Sequence, residues 1–143
     1  MKRYAMMLGL WLVMAGSLCA QSATVPKILT DGFDAYKKEG SAKAFDTWLL
    51  GSPIEKDTTT RLSVLGGITQ IEAAYGKYQG YDLLGIIPFG TTVKRYYFVM
   101  NYEKGPVYTW FEVYTINGKD NIPSTDLNTK ANLILPATFI EKK

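Results

Sequence analysis

The sequence predicts an α+β protein in which N-terminal helices pack on a curved four-stranded antiparallel meander. Apolar residues recur at helical spacing between residues 25 and 80. At Tyr81 the pattern changes to short β-branched and aromatic runs separated by turn signals, and the run from Lys94 to Gly118 alternates with period two. With 143 residues, 47% of them hydrophobic and 20% charged, the chain has the length for one core and an ordinary globular composition.

The first twenty residues, MKRYAMMLGLWLVMAGSLCA, form a different object. Lys2 and Arg3 precede an apolar run from Ala5 to Ala15 that ends in small residues, the pattern of a secretory signal. The expected division is therefore a signal over 1–20 and a single α+β domain over 21–143, with cleavage after Ala20 or Ser22. The apolar run is too short for a permanent membrane span. Cys19 reads as a small residue of the signal. Lipid anchoring there is not expected, because Leu18 stands where lipoprotein signals carry a small residue. The expected location is periplasmic or secreted.

In chain order, Pro26 suits the start of a helix carrying Ile28, Phe33 and Tyr36, and Gly40 stops it. Ser41 is placed as the N-cap of a second helix with Phe45, Trp48 and Leu49 on one face, broken at Gly51. After a connector, Thr58 to Thr60 lead into the longest helical pattern, whose stripe is Leu62, Leu65, Ile68, Ile71 and Tyr75, closed at Gly80. Gly66 and Gly67 inside it each lower helix stability by about 1 kcal/mol relative to alanine. Close backbone packing or a bend is expected to accompany them.

The hairpin KRYYFVMNYEKGPVYTWFEVYTING carries rings that must point both ways. A four-residue turn at Glu103 to Pro106 would set Tyr102 against Val107. One face then holds Lys94, Tyr96, Phe98, Met100 and Tyr102 with Val107, Thr109, Phe111, Val113 and Thr115, nearly all of it core material. The other holds Val93, Arg95, Tyr97, Val99 and Asn101 with Tyr108, Trp110, Glu112, Tyr114 and Ile116. That mixture of rings with polar tips suits a contact surface, although a plain solvated sheet face reads the same way. Arg95 can clamp a carboxylate or pair with Glu112 within diagonal reach. Asn117 and Gly118 fit a type I′ turn, which sends Ile122, Ser124 and Asp126 toward the core and leaves Pro123 at an edge or bulge.

The chain has no His, and its one Cys lies in the signal, so His triads, His metal sites and thiol nucleophiles are excluded beyond residue 20. No metal and no cofactor is expected. Removing Lys2 and Arg3 leaves fourteen basic side chains against thirteen acidic ones, a net charge of +1, without a basic stripe. Nucleic acid is accordingly not an expected partner.

Helices succeeded by a long meander, with the third helix feeding the sheet, and the aromatic hairpin YYFVMNYEKGPVYTWFEVY resemble small exported bacterial proteins of the cystatin-like or NTF2-like superfamily over about residues 25 to 136. The resemblance implies a curved sheet wrapping a long helix. In the superfamily's enzymes, Asp, Tyr or His groups act inside the cone between helix and sheet. Here Asp82, Tyr96 and Asp126 are the candidates for that cavity, each with a structural reading as well: a turn residue, a core ring and a strand-end polar group.

These residues support two function classes. The first is a non-catalytic extracytoplasmic binding module that pairs through Arg95, Tyr97, Tyr108, Trp110, Glu112 and Tyr114, either with a second copy as a homodimer or with another envelope protein. The second is a small-ligand binder or isomerase-like enzyme using the cone, which requires an accessible cavity of a few hundred cubic ångströms with a polar group at its base.

Overall fold

The computed structural model describes residues 24–141, so the segment 1–20, with Cys19, lies outside the described residues. Among the described residues, five helices and four strands run in the order α1 (Lys27–Glu39), α2 (Ser41–Leu49), α3 (Thr58–Tyr75), β1 (Tyr78–Phe89), β2 (Val93–Tyr102), β3 (Gly105–Ile116), β4 (Lys119–Asn128), α4 (Ala131–Ile134) and α5 (Ala137–Ile140). The fold is thus α+β, with helices preceding an open antiparallel sheet of order β1-β2-β3-β4.

Pro26 sits just before α1, where its missing N–H costs nothing, and α1 ends at Gly40, whose N–H donates to the Tyr36 carbonyl. Gly40 also precedes α2 in the capping position. Ser41 is therefore the first helical residue, and it makes no capping hydrogen bond. Asp57 caps α3, its carboxylate accepting from the Thr60 N–H at 3.0 Å. That helix closes at Gly76 instead of Gly80. A φ of 82° there lets the Gly76 N–H reach the Glu72 carbonyl, freeing Tyr78 to pair with Tyr102 in the sheet.

The core lies between α1, α2 and one sheet face. Phe33 is its centre: it stacks on Tyr81 with ring centroids 3.9 Å apart and meets Trp48, Phe98 and Phe111 edge-on. Such pairs contribute about 0.5–1.5 kcal/mol each beyond area burial. Leu29, Phe45, Met100, Val107, Val113 and Ile122 are among the buried residues packed around it. The long helix α3 is peripheral, contrary to the expectation of a sheet wrapping it. Ile68 is its one buried residue among those described, and Leu62, expected on its inner stripe, is 65% exposed because Val64 turns inward in its place. Space is open around both Gly66 and Gly67, so close packing does not account for them.

The hairpin turn is tighter than expected. Tyr102 pairs with Gly105 and Met100 with Val107, a shift of two residues. Because side chains alternate with period two, a shift of two preserves both faces. It also brings Arg95 directly opposite Glu112 instead of diagonal to it. The turn at Asn117 and Gly118 has positive φ at both positions and pairs Ile116 with Lys119, as a type I′ turn requires. Beyond it, a bulge opposite Val113 gives β4 an extra residue at Pro123. The inserted residue reverses the facing of the rest of β4, so Ser124 lies opposite Glu112 and Asp126 opposite Trp110 on the outer face, not toward the core.

Candidate functional site

The outer sheet face has two unlike halves. At one end, α4 and α5 lie across it as a strap. Phe139 meets Tyr97 edge-on at 5.2 Å and seats on Gly85, where any side chain would collide with its ring. Tyr97, expected to look outward, is consequently 4% exposed. Its company is the chain's own C-terminal segment. Tyr108 is half-buried and borders a groove of about 500 Å³ with Leu83, Leu84, Leu135, Phe139 and Ile140. The short apolar run from Leu133 to Leu135, interrupted by Pro136 and resumed at Phe139, is the sequence signal for this cover.

The other half is open. The Arg95 guanidinium stacks 4.2 Å from the Trp110 ring centroid and 5.0 Å from that of Phe89, and its Nη2 donates to Glu112 Oε2 at 2.8 Å. The two charged side chains are 29% and 24% exposed. Around them stand half-buried Trp110 and Tyr114, with Phe89 and Ile116 nearly half exposed. Ile116 is one of the residues expected on this face and Phe89 joins it, because strand ends just before turns leave their outward side chains uncovered.

A second feature lies at the end of the molecule where α1, α3, β1 and the β2–β3 turn converge. Tyr36, Lys37, Gly40, Glu72, Gly76, Lys77, Tyr78 and Glu103 line a cleft of about 430 Å³. Tyr36 donates its hydroxyl to Glu72 Oε1 at 2.7 Å, and its oxygen lies 2.9 Å from that of Tyr102. Since the Tyr36 proton is committed to Glu72, Tyr102 must be the donor in the second bond. Burial raises the pKa of Tyr36, helped by both partners. Burial also pushes Tyr102 up to about 12, and the nearby Glu72 carboxylate adds to the rise. The turn is tied to the cleft by its backbone: Glu103 N–H donates to the Lys77 carbonyl, Lys104 N–H to that of Tyr75, and Lys77 N–H to Glu103 Oε2. Glu72 is the one acidic residue of α3 and lies four positions from Ile68, so a carboxylate on the inward stripe was the available sequence signal.

The three candidates for the cone do not converge. Tyr96 is a buried core ring, with its pKa raised by burial and then by Asp120. Asp82 is exposed and accepts from Asn101 Nδ2 at 2.8 Å, opposite Val99 on the outer face. Asp126 is exposed as well, its carboxylate accepting from the Leu127 N–H. The space between helices and sheet is occupied by Phe33, Trp48, Phe98 and Phe111.

Among the described residues, no group of three or more His, Cys, Asp or Glu side chains is placed to hold a metal ion, and no helix is long and apolar enough to cross a membrane. No family model matches the chain, and neither a curated protein nor a solved structure is significantly similar to it.

Proposed function

We propose that the protein is a non-catalytic, extracytoplasmic binding module that associates with a second copy of itself through the open half of the outer sheet face. The extracytoplasmic part rests on the charged, apolar and small-residue pattern of residues 1–20. The observation that supports pairing is the Phe89–Arg95–Trp110 stack bonded to Glu112. Stacking holds the guanidinium in one orientation before any partner arrives, and preorganised aromatic and arginine side chains are the groups that dominate interface energetics.

A neighbouring positive and negative charge are self-complementary under a two-fold rotation, which sets Arg95 of one copy against Glu112 of the other. Phe89, Trp110, Tyr114 and Ile116 would then pack around a ring of four charges. The test is sedimentation velocity at rising concentration. A dimer at high micromolar concentration, converted to monomer by Trp110→Ala and by Glu112→Arg, is the expected result. A wild-type chain that stays monomeric throughout overturns the reading, as does a dimer indifferent to both substitutions.

A further inference from the structure

The cleft beside Tyr36 is separate from the outer face, and two carboxylates and two lysines line it at different depths. The C-terminal ends of α1 and α3 both reach it, at Gly40 and Gly76, and helix C-termini present carbonyl oxygens and a partial negative charge of about half an electron. Half-buried Glu72 spends one carboxylate oxygen on the Tyr36 hydroxyl, and its other oxygen accepts no hydrogen bond among the described residues. Glu103 supplies a second carboxylate from the facing turn. Tyr36 and Tyr78 present rings whose centroids lie 4.4 Å apart.

The two lysines that line the cleft do not reverse this bias. Lys37 is drawn along β1, its Nζ donating to the Gln79 carbonyl at 3.2 Å, and both lysine side chains are exposed at the rim. Glu103 is exposed like the lysines, so the inner lining is the Glu72 carboxylate, the Tyr36 and Tyr78 rings, and the buried Tyr78 hydroxyl, which has no hydrogen-bond partner among the described residues and can accept as well as donate. Acceptors together with ring faces select a positively charged donor.

We infer that the cleft between the C-terminal ends of α1 and α3 and the start of β1 binds a small organic ammonium ion, with Glu72 as its charge partner and the Tyr36 and Tyr78 rings as its walls. A volume of about 430 Å³ admits a ligand of amino-acid or short-amine size. The Tyr102–Tyr36–Glu72 hydrogen-bond chain fixes the carboxylate in place from the core side, so the free oxygen is presented without loss of side-chain freedom on binding. The ammonium can arrive as a free amine or as part of a zwitterion, whose carboxylate Lys77 would meet at the rim.

The experiment is a titration of the purified protein with butylammonium, 4-aminobutanoate and butanoate, read from the amide resonances of Gly76 and Lys77. Saturable binding of butylammonium, weakened about tenfold or more by Glu72→Gln and by Tyr78→Leu, is expected. Tyr78→Leu keeps the hydrogen-bond chain intact, so it decides the matter should Glu72→Gln fail to fold. Tighter binding of 4-aminobutanoate that Lys77→Ala reduces to the butylammonium level identifies a zwitterion as the source. Equal affinities for the two identify a free amine. Butanoate binding as well as butylammonium overturns the inference, as does no saturation by either ammonium probe up to about 20 mM, or affinities unchanged in the folded variants.

Discussion

The indole of Trp48 in α2 lies over Gly32 in α1 and fills the space that a side chain at position 32 would need. A methyl built there overlaps the indole ring at Nε1, whose N–H donates to the Leu29 carbonyl at 3.1 Å. Trp48 is 1% exposed and touches Phe33, Phe45 and Phe111, so it has nowhere to retreat. Gly32→Ala should destabilise the protein by about 1–3 kcal/mol through overpacking, with about 1 kcal/mol more if the indole bond is lost. Gly66→Ala is the contrast: the space there is open and the backbone helical, so a gain of about 0.5–1 kcal/mol is expected. Urea denaturation of the two variants should shift the midpoint in opposite directions.

That contrast marks what the sequence could carry. Helical stripes and period-two alternation are local signals, and they placed α1, α2 and the two faces of the β2–β3 hairpin. Gly32 and Gly66 look alike in sequence, since only the tertiary partner of each decides whether a side chain fits. The same limit explains Asp126, whose face was reversed by a bulge at Pro123 that alternation alone does not position. It explains Tyr97 too: an outward ring is exposed or buried according to whether a distant segment returns to cover it. Glu72 and Tyr36, 36 positions apart, meet only because both helices end at the same edge of the sheet.

Removing one hydroxyl tests the buried chain at the cleft. Tyr36→Phe leaves the Tyr102 hydroxyl, on a side chain 6% exposed, without its acceptor, and takes the donor from Glu72 Oε1. A loss of about 1–3 kcal/mol is expected from the stranded donor. Tyr102→Phe in the same chain removes that donor, so the double variant should be more stable than the sum of the single losses allows. A double-mutant cycle by urea denaturation measures the difference, and strict additivity would show that the two hydroxyls are not coupled.

The same tyrosines set an alkaline limit. Burial raises Tyr36, Tyr78 and Tyr102 above the ordinary value of 10.0, Tyr102 to about 12. A neutral form favoured by folding is fully protonated in both states below the unfolded value, so its contribution is intact there. As pH rises from about 10 through the folded value, the unfolded chain releases protons that the folded chain keeps, and stability falls. Stability should be flat from about pH 7 to 9 with respect to these groups and then decline by up to about 1.4 kcal/mol per pH unit for each tyrosine. Tyr102→Phe should make the decline above pH 10 shallower in urea titrations taken at successive pH values.

The C-terminal strap should open without the rest of the fold. Its anchors are Ile134, 7% exposed, and Phe139, wedged between Tyr97 and Gly85, while Leu133 and Ile140 face outward at 60% and 47% exposure. Two helices of four residues each supply little hydrogen-bonded structure of their own, so the opening free energy of this segment lies below that of the sheet. Phe139→Ala removes the wedge, and Gly85→Ala fills its seat from the opposite side. Both should therefore speed amide hydrogen exchange across residues 131–140 by about tenfold or more, with Phe98 and Phe111 amides unchanged relative to global stability. Because the two substitutions act on different elements, a shared effect confined to the strap identifies the Phe139–Gly85 contact as its fastening. If Phe139→Ala instead costs the about 3–5 kcal/mol expected of Trp48→Ala, the strap unfolds together with the core and is a part of it.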